Sequence, residues 1–173
     1  VILFDTLNTQ MAAFQIRHAD DQDFRKAFRI IIQKYLRERR PERGVLGYRV
    51  KIVNTTEITN TIINDDCEIS GASRISECSI LSSPESSTYI GNNVILDNSI
   101  VQAGSSILDG AHVDNCFIGE ACHIVNASTE SSLFFANSFI GNGETCAALC
   151  GPFTVSHHKN SLLIAGEFSF YNA

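Results

Sequence analysis

Five histidines, His18, His112, His123, His157 and His158, are the side chains of this chain best suited to proton transfer or metal binding. Imidazole titrates near neutrality, so a positioned histidine is the usual general base for an attacking hydroxyl or amine. Only His157-His158-Lys159 forms a dense run. It follows the irregular stretch Cys146–Pro152, where a loop can bring polar groups into a cleft. Neighbouring residues on a strand point to opposite faces, so at most one of the two histidines faces a given site. His157 or His158 is therefore the candidate catalytic base, against the plainer reading of a structural turn histidine. Lys159, His123 and His112 are the candidate substrate-binding residues, against the plainer reading of exposed spacers. His18 falls in a helical segment and reads as a surface residue.

The six cysteines suggest a disulfide framework or a zinc site, and their spacing supports neither. No Cys-x-x-Cys pair occurs, and Cys146-x-x-x-Cys150 lacks a second matching pair. They read as small buried residues of a reduced, cytoplasmic protein, and no metal site is expected. A net charge of −6 argues against nucleic acid as the main partner. The basic residues Lys34, Arg37, Arg39, Arg40 and Arg43 crowd the C-terminal end of a predicted helix. A solvated helix end is the plain reading of that run, and an anion or phosphate site is the alternative. No apolar run is long enough to span a membrane. The chain opens on Val1 without a signal peptide and stops after the strand-like run Glu167–Tyr171, so a fragment shortened at its C-terminal end is expected.

Two kinds of element must position these residues. Residues 1–44 carry apolar side chains at helical spacing: Leu7, Met11 and Phe14, then Phe24, Ala27, Phe28, Ile31, Ile32 and Tyr35 up to Leu36. Asp5 or Thr6 is expected to cap the first helix, the polar run Ala19–Gln22 to cap the second, and Pro41 with Gly44 to end it. The resulting hairpin is read as a lid over the open end of the following domain, or as an interface helix.

The second element is read over residues 45–173, and from Ile52 the period changes from helical to six. A short phrase recurs from Asn60-Thr-Ile-Ile63 through Asn98-Ser-Ile-Val101 and Asn115-Cys-Phe-Ile118 to Asn160-Ser-Leu-Leu163. Its starts are separated by 17, 21, 17, 22 and 23 residues, read as a period of 17 with insertions of 4, 5 and 6. Within it, six-residue units place an aliphatic residue first and a small one fifth, as in Ile69-Ser-Gly-Ala-Ser73, Ile95-Leu-Asp-Asn-Ser99 and Ile107-Leu-Asp-Gly-Ala111. Steps of five occur at Ile58 to Ile63 and at Val113 to Ile118. Two sixes and a five describe a coil with three faces and three corners, each aliphatic pointing inward and each corner held by Asn, Asp or Gly. Asn98 and Asn115 are expected to stack as a ladder up one corner. Single coils have no core, so only the stack is stable.

These units resemble the hexapeptide repeat of the left-handed parallel β-helix superfamily; Ile90-Gly-Asn-Asn-Val94 and Ile118-Gly-Glu-Ala-Cys122 are close matches. Ser132–Asn137 and Gly151–Gly166 resemble more narrowly an uncharacterised family of longer bacterial hexapeptide-repeat proteins. The resemblance implies a mainly β fold, a left-handed parallel β-helix of 17-residue coils over residues 45–173, with the helical hairpin of residues 1–44. It also implies a trimer with sites in grooves between subunits, and acyl transfer to a sugar or nucleotide-sugar from acyl-CoA as co-substrate, with no covalently bound cofactor. Carbonic anhydrase-like members hold zinc with two histidines five apart and a third about two coils away; His112 and His123, 11 apart, depart from that pattern. The competing readings are a non-catalytic scaffold or oligomerisation domain of a larger protein, or a domain associated with a sugar nucleotidyltransferase. Nucleic acid and membrane are not expected partners; a small-molecule or nucleotide-sugar ligand is.

Overall fold

The computed structural model describes residues 1–170 and Asn172. The chain is mainly β: a parallel solenoid of about seven turns, preceded by the helices α1 (Thr9–Arg17) and α2 (Gln22–Arg39). Among the described residues, strands of two or three residues build three parallel sheets of eight, seven and seven strands. One turn of the solenoid runs Ile100–Val101 in sheet I, Ser106–Leu108 in sheet II and His112–Asp114 in sheet III, then re-enters sheet I at Phe117–Ile118. Each strand pairs with those one turn away, so Ile100 lies beside Phe117, Ile107 beside Ile124 and Val113 beside Leu96. Stacking in this way gives every interior strand two partners, which two-residue strands need in order to persist.

The core is a column from each sheet. Ile69, Ile90, Ile107, Ile124 and Ile140 of sheet II are at most 1% exposed. The inward residues follow the expected steps, six from Val101 to Ile107, six from Ile107 to Val113 and five from Val113 to Ile118. One expected inward residue is wrong. Leu96 is fully buried and Ile95 is turned outward, because a five-residue step back to Val101 starts from position 96.

The recurring phrase marks all three corners rather than one. Left-handed backbone angles occur at Asn60, Glu77, Asn98 and Asn115 before sheet I, but Asn137 precedes sheet II and Asn160 precedes sheet III. The sheet I register gives turns of 17, 17, 21, 17, 16, 16 and 18 residues. The apparent insertions of five and six therefore disappear. From Ile124 the step to sheet III shortens to five, ending on Thr129 and again on Thr145 after Ile140. The genuine insertion of four is the Ser82–Ser87 loop, pinched by paired bonds between Ser83 and Ser86. Corner chemistry is the same at every corner, so the phrase could not tell them apart.

The hairpin forms as expected, with α2 capped from the expected polar run, a different cap on α1 and a different seat. Asn8 caps α1 by accepting from the Met11 amide at 2.9 Å; Asp5 instead accepts from the Tyr35 hydroxyl at 2.7 Å. Asp21 caps α2 through the amides of Asp23 and Phe24. Phe4, Leu7, Ala12 and Ile32 pack with Phe117, Leu133, Phe135 and Leu149 into a second core against the outer face of sheet I. The hairpin thus lies along the flank of the solenoid and is not a lid. The solenoid's first turn stays open, with Leu46 62% and Ile52 39% exposed. The cause lies in sheet I, whose strands are apolar on both sides, as in Ile100-Val101, Phe117-Ile118 and Leu133-Phe134. Bare, that outer face would be a large apolar patch. Phe28, Ile32 and Tyr35 form the packed stripe of α2, with Phe24 stacked on Phe28; Ile31, expected within it, is 63% exposed. At the far end the strand Glu167–Phe168 is present, and Tyr171 lies outside the described residues.

Candidate functional site

The solenoid distributes the candidate histidines over separate surfaces. His123 begins the strand His123–Val125 and stands on the outer face of sheet II. Ser106, its paired neighbour one turn earlier, places its hydroxyl 2.6 Å from His123 Nδ1. The Phe139 ring, one turn later, lies 6.4 Å from the imidazole. His112 stands on the outer face of sheet III between Ile95 and Ser128. The 11-residue spacing therefore puts His112 and His123 on different faces.

His157, His158 and Lys159 follow the strand Val155–Ser156 and are all exposed. They occupy the step from Ser156 to Leu163, two residues longer than in the turn before. The two imidazoles lie against each other at a tilt of 37°, with centroids 4.2 Å apart. Their backbones serve the turn: His158 O accepts from Ser161 N and Oγ, and His157 O accepts from Asn142 Nδ2. No carboxylate bonds to either ring among the described residues. His18 is more enclosed than its surface reading, half-buried at the end of α1 between Phe14 and Phe24 with centroids at 4.5 and 5.1 Å.

Among the described residues, no three His, Cys, Asp or Glu side chains converge as a metal site. The cysteines are all free, and five of them are buried. Burial pushes the thiols of Cys67, Cys78 and Cys150 up to about 12 and those of Cys116 and Cys122 up to about 11. Such thiols stay protonated and are poor nucleophiles at neutral pH.

Concave surface is found instead where the hairpin meets sheet I. A cleft of about 580 Å³ runs between Leu3, Ile16 and the later turns at Leu133, Leu149 and Ala165, with mainly apolar walls. A second, of about 420 Å³, opens between the C-terminal end of α2 and the second to fourth turns. Neither is lined by a histidine. Arg39 and Arg40 stand on the helical wall of the second cleft, Asn60, Glu77 and Asn98 on the solenoid wall. Arg39 lies over the Tyr35 ring at 4.2 Å, and Tyr35 is itself tied to Asp5. Asn60 Nδ2 donates to Glu77 Oε1 at 2.6 Å. Among the described residues neither Arg39 nor Arg40 has an acidic partner, since the ion pairs there use Arg49, Lys51 and Arg74. In the sequence the basic run read as a solvated helix end, with an anion or phosphate site as the alternative, and Asn60, Glu77 and Asn98 as starts of the recurring phrase. Their spacings of 17 and 21 put them at one corner in successive turns, which was the available signal.

Fold and cleft together define a parallel β-solenoid with a helical hairpin docked along one face and a cleft at the junction, lined by both apolar and polar side chains. The chain belongs to the family described as a domain of unknown function, DUF4954, whose family model matches residues 1–173. No curated protein matches the chain. Among the described residues no helix is long and apolar enough to cross a membrane.

Proposed function

We propose that this solenoid is a non-catalytic assembly scaffold whose copies join through α2. The observation that carries this reading is the segregation of charge and exposed apolar side chains onto two outer faces. Residues 25–43 contain eight of the 13 lysines and arginines and only two acids. Lys26, Lys34 and Arg37 lie at helical spacing around Ile30 and Ile31, which are 67% and 63% exposed. On sheet III, Asp97, Asp114 and Glu130 stand side by side on adjacent strands, with Glu144 in the next turn. Leu162 and Ile164 continue that face and are 59% and 54% exposed. Like charges directly opposite one another repel, and Arg74 answers only Asp97, at 2.5 Å. The α2 of a second copy supplies the missing cations and covers its own isoleucines against Leu162 and Ile164.

A head-to-tail contact of this kind closes into a ring where the rotation between copies returns to the start, and a ring of three is the case that agrees with the trimer the hexapeptide-repeat resemblance implies. The six-six-five steps, with aliphatics inward and small residues at the corners, support the hexapeptide coil, whose left hand is what the resemblance implies. The buried, protonated thiols support a reducing, cytoplasmic setting. Charge reversal tests the contact. Lys34→Glu with Arg37→Glu should yield monomers by light scattering, and adding Asp114→Lys with Glu130→Lys to the same chain should restore the assembly. A wild-type monomer at low salt, or an assembly indifferent to the reversal, would sink this reading.

A second reading, acyl transfer to a sugar or nucleotide-sugar, is favoured by the bond between Ser106 and His123. In the tautomer whose Nδ1–H donates to Ser106 Oγ, the outward Nε2 is unprotonated and able to take the acceptor's proton. The acceptor oxygen would bond to the acyl carbon, the C–S bond of acyl-CoA would break, and the departing thiolate would recover the proton. The test is thermal stabilisation by acetyl-CoA and its loss in His123→Ala, His157→Ala and His158→Ala; no stabilisation of the wild type rules out the reading.

A further inference from the structure

We propose that the cleft between the end of α2 and sheet I binds a small phosphorylated polyol. This site is separate from the assembly contact and does not depend on it. Three observations lead there. The cleft, at about 420 Å³, falls within the size range of small-molecule sites. Its helical wall holds two guanidinium groups with no ion-pair partner among the described residues, beside an Asp5 carboxylate that is engaged by the Tyr35 hydroxyl, in a chain whose net charge is −6. Its opposite wall holds the amides of Asn60 and Asn98, the Ser79 hydroxyl and the Glu77 carboxylate, stacked from successive turns.

The two walls ask for different parts of one ligand. Planar guanidinium groups bind phosphate oxygens in pairs, more strongly than neutral donors do. Stacking over Tyr35, itself held by Asp5 at 2.7 Å, limits the freedom Arg39 must lose on binding. The C-terminal end of a helix repels anions, so the attraction must come from these side chains and not from the backbone. Glu77 would repel a phosphate brought to the solenoid wall. A carboxylate accepts hydrogen bonds well from sugar-type hydroxyls, and the amides both donate and accept. The ligand is therefore oriented, with its phosphoryl group on Arg39 and Arg40 and its hydroxyls on Glu77, Asn60 and Asn98. Phosphate alone satisfies one wall, and a neutral sugar only the other.

Calorimetric titration with glucose 6-phosphate, inorganic phosphate and glucose as probes tests the assignment. Glucose 6-phosphate should bind at least about tenfold more tightly than either fragment, as charge-assisted bonds add to the hydroxyl contacts. Arg39→Gln with Arg40→Gln should abolish that preference at an unchanged melting temperature. Glu77→Gln should weaken glucose 6-phosphate while leaving inorganic phosphate unaffected or tighter. No measurable binding of glucose 6-phosphate, equal affinity for it and for phosphate, or binding that survives the double arginine variant would each overturn the proposal. The Lys34 and Arg37 variants and the histidine variants change no residue that lines this cleft, so its failure is distinguishable from theirs.

Discussion

At the inner corner before sheet I, Thr61, Cys78, Ser99, Cys116, Ser132 and Ala148 succeed one another, all at most 3% exposed. Ser99 shows why small polar side chains suit the place: its hydroxyl donates to Asp97 O at 2.6 Å and accepts from the Cys116 amide of the next turn at 3.0 Å. Cys116 Sγ reaches Asp114 O at 3.1 Å in the same manner. Cysteine here is a slightly larger serine, and burial raises its pKa. Native protein at pH 8 should therefore expose one reactive thiol to a disulfide reagent, the half-buried Cys146, and release the other five only on unfolding. Six thiols reacting at similar rates would contradict the buried corner. The sign of the linkage follows. These acids have folded values raised above the ordinary 9.0, so their stabilising contribution is complete below about 9 and declines as pH rises towards 11 and 12. The urea midpoint should fall over that window, and Cys116→Ser with Cys122→Ser should flatten the fall. Asparagine does the outer-corner work. Asn126 holds φ 49° and donates to Asn142 Oδ1 at 3.1 Å, so Asn126→Ala should cost about 1–2 kcal/mol in denaturant unfolding. The expected ladder of Asn98 on Asn115 does not form; Asn98 donates to Asp114 and Asn115 to Ser131.

Between elements, the decisive contact is the one the hairpin makes with sheet I. Phe117 is fully buried there on a strand whose other side, Ile118, is buried in the solenoid core. Phe117→Ala should cost about 3–5 kcal/mol. Amide exchange should rise across α1 and α2 while sheets II and III keep their protection; uniform loosening would place the hairpin in the solenoid's own cooperative unit. Much of this fold was legible in the chain because solenoid physics repeats. Aliphatics spaced five or six residues apart suit neither the helical period nor strict strand alternation, but they do suit a coil of three flat faces. Helical spacing with capping residues marks α1 and α2. What was hidden depends on contacts between turns. The phrase at Asn137 and Asn160 uses the same corner chemistry as Asn98, so its place around the coil was unreadable. The shortened steps ending on Thr129 and Thr145 put polar residues inside, where an aliphatic marker was sought. The seat of the hairpin had a visible sign, paired apolar residues at Ile100-Val101 and Phe117-Ile118. The cleft had less, since Arg39 and Asn98 meet only once the hairpin is docked. The histidines were visible as residues, but nothing in their spacing tells that sheets II and III face different ways.

Across the whole molecule, each turn contacts only its neighbours, so the stack gains stability nearly additively and leaves its outer faces free for other work. Those faces differ in sign: a cationic helix on one side and a ladder of carboxylates on another, each beside exposed aliphatics. Attraction between them is screened by salt over roughly 10 Å at 0.1 M, so an assembly built on it must be salt-sensitive, whereas one built on apolar burial alone is not. Sedimentation equilibrium of the wild-type chain at low and high salt reads this directly. At about 50 mM salt the expected species is an oligomer, a trimer as the hexapeptide-repeat resemblance implies, that falls to monomer at about 1 M as the charges are screened. A monomer at both salt concentrations, or an oligomer whose mass ignores salt, would contradict it.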